Sequence, residues 1–309
     1  MTDLVLSTAV ANYGHTVPLK DGSIGSSMFS MEHTEVSPVP MIFRRMVRTL
    51  EFDVAEMALS TYLCARAHGK RFTALPVFLT RDFYHGMLSY NVHSGIEGPK
   101  DLEGRKVGVR SYTFTPGVWT RGILQSQYDV DLSAVSWVIS GDEHVAEYEA
   151  PAHVTYSESS DLGEMLLSGE IDAAIGAPPT GSDDIRPLFP EAAQLDADWH
   201  SSTGIYPISH LLVVKDALLE SHGDLATEVF NVFGTAKDDY IDRLHTGDTS
   251  APGTEQLLRM AGIVGNEKAL SYDFEAAQST IETFVGFNVD QGVIPEAVDP
   301  IDLFPSETI

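Results

Sequence analysis

Short apolar runs and longer stretches of helical spacing follow one another along the chain, and their order predicts an α/β protein. The run over 4–9 predicts an opening strand, followed by the loop Asn12-Tyr13-Gly14-His15-Thr16. Weak alternation over 30–37 predicts a second strand, 41–49 a short helix, 52–58 a buried strand and 60–68 another helix. Further strands are predicted at 74–78 and 85–92. A short turn over 99–105 leads into Val107-Gly108-Val109, the start of a second βαβ unit, whose helix runs over 117–127 behind Pro116. Strands at 135–139 and 152–156, a helix over 162–168 stopped by Gly169, and a strand at 171–175 complete that unit. The stretch 180–200 reads as polar chain wrapped around 185–189; a turn and strand over 204–214 follow, then helices at 225–243, 254–260 and 275–290. The simplest organisation is two lobes, one made of 1–92 and 206–309 and the other of 93–205, with a ligand in the cleft between them.

Charge narrows the partners. Nineteen basic residues, only seven of them Lys, face 45 acidic ones for a formal charge of -26, and such a field repels nucleic acid and anionic lipid. The acid is spread along the chain (Asp183-Asp184, Glu191, Asp196, Asp198, Asp238-Asp239), which reads as a surface adapted to high salt, a halophilic signature of habitat rather than of function. The single cysteine, Cys64, excludes an internal disulfide and a cysteine-based metal cluster, and its surroundings read as those of a buried structural thiol. No basic leader or long apolar run opens the chain and no segment reaches membrane-spanning length, so a cytoplasmic location is expected. Association into a homo-oligomer is left open.

The stretch from Phe43 to Leu63 carries the chemistry. A carboxylate, Glu56, sits late in an otherwise apolar strand, and Ser60 and Thr61 follow at a helix start. In open α/β sheets ligands bind beyond the carboxyl ends of strands, where helix N-termini offer free N–H groups, so this segment predicts part of a pocket for a small acid.

Phe43-Arg44-Arg45-Met46, Glu51-Phe52-Asp53-Val54-Ala55-Glu56-Met57, Ser60-Thr61-Tyr62, Pro99-Lys100-Asp101-Leu102-Glu103-Gly104, Val107-Gly108-Val109 and Thr203-Gly204-Ile205-Tyr206-Pro207-Ile208 resemble the 4,5-dihydroxyphthalate decarboxylases over most of the chain. The resemblance implies a type II periplasmic-binding-protein-like fold with a two-lobed clamshell, and cofactor-independent decarboxylation of a hydroxylated aromatic (di)carboxylate in aromatic catabolism. That chemistry needs a general acid to protonate the ring carbon bearing the carboxylate, a group to stabilise the phenolic proton, and cations to hold a second carboxylate. Arg44, Arg45 and Arg81 are the candidate clamps, Arg being suited to bidentate pairing, although adjacent Arg44 and Arg45 point to different helix faces. Glu56 is the candidate base, with an ion pair to Arg44 or Arg45 as the plain alternative; His210 and His85, near the two crossovers, are candidate proton donors or satisfied structural residues. Ser111, Thr113 and Thr115 join Ser60 and Thr61 as anion-binding or capping hydroxyls, and Trp119 either lines the ring's side of the cleft or belongs to the core. No metal is expected, a divalent ion on His85, His210 and Glu56 being the minor alternative. The competing functions are a non-catalytic binding protein for a small organic or aromatic acid, and another carboxylate lyase on the same fold.

Overall fold

The computed structural model describes residues 4–309. In chain order the first elements are β1 (Leu4–Ala9), α1 (Val17–Lys20), β2 (Phe29–His33), α2 (Pro40–Thr49), β3 (Val54–Ala58), α3 (Leu59–Ala67) and β4 (Phe72–Arg81). There follow β5 (Leu88–Asn91), β6 (Lys106–Val109), α4 (Thr115–Tyr128), β7 (Ser136–Ile139), β8 (Val154–Tyr156), α5 (Leu162–Ser168), β9 (Ala173–Ile175), β10 (Ile185–Pro187) and α6 (Ala192–Thr203). The chain ends with β11 (Ile208–Lys215), α7 (Asp216–Ser221), α8 (Leu225–His245), α9 (Thr254–Val264), α10 (Asn266–Ala269) and α11 (Phe274–Asp290). The helix α6 lies in the stretch expected to be irregular. Only Asp196 and Trp199 are buried along it, so it carries no apolar stripe for a sequence pattern to reveal.

Two compact units emerge. One holds the described residues up to Asp82, Ile208–Ile281 and Val298–Ile309; the other holds Phe83–Pro207 and Glu282–Ala297. The boundary at Asp82 falls ten residues before the expected 92, because β5 pairs antiparallel with β9 and β10 of the second unit. Residues 282–297 also go with that unit rather than with the first. Their anchors are Phe284, stacked on Trp119 with ring centroids 4.5 Å apart, and Gln291, which accepts from Arg121 Nε at 2.7 Å.

The first unit is built on a five-stranded sheet in the order β2-β1-β3-β11-β4, with β2, β1 and β3 parallel and β11 antiparallel to both its neighbours. Every residue of β3 is buried, as expected for a central strand covered on both faces. The helix α2 feeds it: Pro40 starts the helix, Ile42, Phe43, Met46 and Val47 form its inner face, and Leu50 ends it in the left-handed region at φ 49°. The helix α3 leaves β3 directly and buries seven of its nine residues, and Tyr62 Oη ties it to the C-terminal segment by donating to the Leu303 carbonyl at 2.7 Å. The second unit has a six-stranded sheet in the order β10-β5-β9-β6-β7-β8. Among the described residues no helix is long and apolar enough to cross a membrane.

Candidate active site

Sheet register puts the candidate acid and base together. On β3, Glu56 lies opposite Leu212 of β11, and His210, two residues along, lies opposite Ala58. Glu56 and His210 are therefore diagonal neighbours on one sheet face, within reach of long side chains. His210 Nδ1 and Glu56 Oε1 are 2.7 Å apart, which places the proton on Nδ1, since a carboxylate can only accept. On its other side β11 pairs with β4, where the register slips on either side of His210, an irregularity that re-aims a side chain. His210 Nε2 has no protein partner among the described residues, and its side chain keeps 22% exposure against none for Glu56.

Glu56 gains its other partners from the loop after β1. Because β1 runs parallel beside β3, with Ala9 opposite Ala55, the residues just past its end pass the Glu56 carboxylate. Ala11 N–H donates to Oε2 at 2.8 Å and Tyr13 Oη–H donates to Oε1 at 2.6 Å. Burial alone pushes the Glu56 carboxyl up, but the hydrogen bond and charge of His210, followed by the bonds from Tyr13 and Ala11, outweigh it and hold the group below the usual carboxylate range. Burial first, then the charge and hydrogen bond of Glu56, push the Tyr13 phenol well up, so it stays protonated and donates. His15 stacks on Tyr13 with centroids 5.3 Å apart and planes 7° from parallel. Burial lowers His15 to about 4, so it is neutral around pH 7. Tyr13 and His15 were not singled out from the sequence. No local pattern marks them: it is the parallel pairing of β1 with β3 that brings this loop to the carboxylate.

The double-arginine helix turns its phenylalanine to the histidine: Phe43 sits edge-on to the His210 ring at 4.9 Å. Arg45 instead pairs with Glu51, its Nε donating to Oε2 at 2.7 Å, and lies over the Phe52 ring, binding the helix to the start of β3. Arg44 is half-buried and engaged with neighbours. Arg81 ends β4 opposite Ile208, beside Thr80, which lies opposite His210; its guanidinium covers the Phe78 ring at 4.8 Å. Ser60 and Thr61 are buried in the first turn of α3, where Ala58 rather than a hydroxyl residue occupies the cap position. Close to Tyr13, a Cβ built on Gly253 would stand 3.8 Å from the phenol ring. Gly253 borders a pocket of about 520 Å³ lined also by Thr249, Ala251, Thr254, Glu255, Gln256 and Arg259. Gln256 ties this pocket to the end of β4 by donating to Asp82 Oδ2 at 2.9 Å.

The remaining sequence candidates belong to the second unit and have partners there. His85 Nδ1 is 2.6 Å from Asp196 Oδ1 and its Nε2 is 3.3 Å from Gln127 Oε1, with Phe189 and Trp199 edge-on to the ring. Thr113 donates through Oγ1 to Glu143 Oε2 at 2.5 Å, and Tyr112 N–H donates to Oε1, so an internal carboxylate takes the donors of this loop. Beneath it, fully buried Arg121 donates to the Tyr112 carbonyl and covers the Tyr112 ring at 4.1 Å. Ser111 and Thr115 are buried on either side of Thr113, and Trp119 is fully buried between Phe284, Phe287 and Trp199. Glu143, Asp196 and Arg121 were not singled out from the sequence, since none stands in a motif. Among the described residues no group of three or more His, Cys, Asp or Glu side chains forms a metal-binding set.

The α/β fold of two units is similar to known structures. The alkanesulfonate-binding protein SsuA from Xanthomonas axonopodis pv. citri superposes with a TM-score of 0.58 at 11% identity, covering 99% of each chain. The desulfurization enzyme DSZB does so with 0.55 at 14% identity, covering 99% of this chain and 97% of that one. The fold is therefore that of the type II periplasmic binding proteins, which serves binders and enzymes alike. No family model matches. A 4,5-dihydroxyphthalate decarboxylase from Comamonas testosteroni is 31% identical over 327 residues, 98% of this chain and 97% of its own. One from Pseudomonas putida is 34% identical over 218 residues, 65% of this chain and 83% of its own. The chain belongs to the 4,5-dihydroxyphthalate decarboxylase family, a family of carboxy-lyases.

Proposed function

We propose that the protein decarboxylates a hydroxylated aromatic dicarboxylate of the 4,5-dihydroxyphthalate type, without a cofactor, at the Tyr13–Glu56–His210 cluster. The observation that carries this reading is the 2.7 Å contact between His210 Nδ1 and the buried Glu56 carboxylate, in a ring whose Nε2 has no protein partner among the described residues and whose side chain is 22% exposed. Glu56 balances the imidazolium, so the ring can carry a second proton on Nε2 and give it up. That proton goes to the ring carbon bearing the carboxylate, para to a hydroxyl that gives its own proton to solvent, so that its oxygen becomes the carbonyl of a dienone and takes a proton back from solvent when the ring is restored. The carbon–carboxylate bond then breaks, its electron pair restores the aromatic ring, and CO2 leaves. Solvent returns one proton to His210, so each turnover consumes one proton and converts 4,5-dihydroxyphthalate to 3,4-dihydroxybenzoate and CO2. The substrate ring itself is the electron sink, which is why no cofactor is needed.

Arg81, beside the strand position opposite His210, and Arg259, the one cation lining the neighbouring pocket, are suited to hold the second carboxylate. Arg259 lies 3.8 Å from Asp82 and shares the pocket with Glu255, so an anionic ligand there would take Arg259 over from Asp82. The test is turnover of 4,5-dihydroxyphthalate by purified protein in deuterated water. The expected product carries one deuterium at the carbon that lost its carboxylate and nowhere else. Unchanged substrate, recovered after prolonged incubation at high protein concentration, would refute the reading.

A further inference from the structure

We propose that Tyr13 is a positioning residue that sets the proton affinity of His210 through Glu56, an inference that rests on the decarboxylase reading above. The observation is that one carboxylate oxygen serves two donors: Glu56 Oε1 accepts from Tyr13 Oη at 2.6 Å and from His210 Nδ1 at 2.7 Å, while Oε2 is taken by Ala11 N–H. Donors sharing one oxygen compete for its charge. The phenol thus draws off part of the negative charge that would otherwise bind the imidazolium more tightly.

The loop is built to keep the phenol in that competition. Thr16 Oγ1 accepts from Tyr13 N–H at 2.9 Å and donates to the Ala11 carbonyl at 2.7 Å, closing the turn on itself. His15 stacks on the phenol, and Gly14 N–H donates to the Pro252 carbonyl at 2.8 Å. A Cβ on Gly14 would lie 2.2 Å from the Tyr240 ring, so only glycine lets α8 press the loop this closely. The charged and titratable groups on the elements packed around the pair are Tyr13 and His15 of this loop, Arg44, Arg45 and Arg48 of α2, Tyr62, Cys64 and Arg66 of α3, Lys215 of β11 and Arg81 at the end of β4. Lys237 of α8 acts on His15. Tyr13 reaches the Glu56 carboxylate directly, donating to Oε1 at 2.6 Å.

A purely structural tyrosine and a tuning one make different predictions for Tyr13→Phe. Removing the hydroxyl leaves the shared oxygen to His210 alone and strengthens its hold on the ring proton. The protonated ring is then favoured, so the limb of the pH–rate profile that reports His210 moves to higher pH. That direction holds whether the limb marks loss of the acid or gain of the base. The experiment compares wild type and Tyr13→Phe by CO2 release across pH 5–9 and by ¹⁵N NMR titration of the His210 ring, with phthalate affinity as a control. The expected shift is about half to one pH unit upward, with kcat lowered and phthalate binding unchanged. Placing 3,5-difluorotyrosine at position 13 strengthens the donor without changing its size, and moves the limb the opposite way; it serves equally if the phenylalanine variant folds poorly. A limb and an NMR titration that stay put in both variants overturn the proposal. A wild-type protein that releases no CO2 refutes the decarboxylase reading instead, while the NMR titration still decides the coupling.

Discussion

Replacing Glu56 by Gln keeps the size of the side chain and removes what the arrangement depends on. Three donors converge on the carboxylate, at 2.6 Å from Tyr13, 2.7 Å from His210 and 2.8 Å from Ala11 N–H. An amide offers one oxygen. If that oxygen faces Tyr13 and His210, its NH2 group meets Ala11 N–H donor to donor. If the amide is flipped, NH2 faces His210 Nδ1, which must then become an acceptor and carry its proton on Nε2 as the other tautomer. Either way one buried donor is unpaired, at a cost of about 1–3 kcal/mol of stability, and the imidazolium loses its counter-charge. Loss of a general acid held in place by a carboxylate lowers kcat by about 10²–10⁴-fold, or about 3–5 kcal/mol of barrier. The affinity for unreactive phthalate, which does not need the proton, stays within about threefold, roughly 0.6 kcal/mol. The assay pairs initial rates of CO2 release from 4,5-dihydroxyphthalate with calorimetric phthalate binding and a melting curve. A folded Glu56→Gln protein whose kcat stays close to that of wild type refutes the assignment of Glu56 as the partner of the acid.

Three further outcomes are expected. His15 is held at about 4 by burial, below its unfolded value of 6.5, so the unfolded chain binds the proton first. The contribution is complete above the unfolded value and is lost as pH falls through the folded one, by up to about 3 kcal/mol. Urea melts at pH 7 and pH 4.5 show this as a slope that His15→Gln lacks, and parallel slopes would contradict it. Gly122→Ala drives a methyl into the Phe287 ring, where a Cβ would stand 2.1 Å from Cδ2. It should cost about 1–3 kcal/mol of stability and leave kcat of the folded protein unchanged; an unaltered Tm would count against the packing described for Trp119, Phe284 and Phe287. Arg45→Ala breaks a surface pair with Glu51 and leaves KM unchanged. A tenfold rise in KM would instead put Arg45 on the substrate.

What could be read from sequence and what could not divide along physical lines. Glu56 stood out because a carboxylate in an apolar strand is costly to bury alone, and His210 because it opens a buried strand; the register of β11 on β3 joins them. Tyr13 could not be read the same way. Its role depends on β1 lying beside β3 in the sheet, a pairing between segments 45 residues apart that no local periodicity encodes. Phe43 and Arg45 show the limit of motif reading: the helix was legible, but which of its side chains faces His210 follows from the helix's rotation on the sheet. The helix α6 was invisible for lack of an apolar stripe, and with it Asp196, the partner of His85. Glu143 lies in a polar stretch without pattern, yet fills the donors of the Thr113 loop. The first unit ends at Asp82 rather than at 92 because the strand of that stretch pairs within the second unit, which its local pattern does not show.

The central claim is that His210 delivers the proton that releases CO2. The measurement that tests it most directly compares wild type with His210→Gln for CO2 release from 4,5-dihydroxyphthalate, each protein first shown to bind phthalate. The account predicts stoichiometric CO2 and 3,4-dihydroxybenzoate from wild type, and a rate at least about 10²-fold lower from the variant at similar affinity. Equal rates from the two proteins would contradict it.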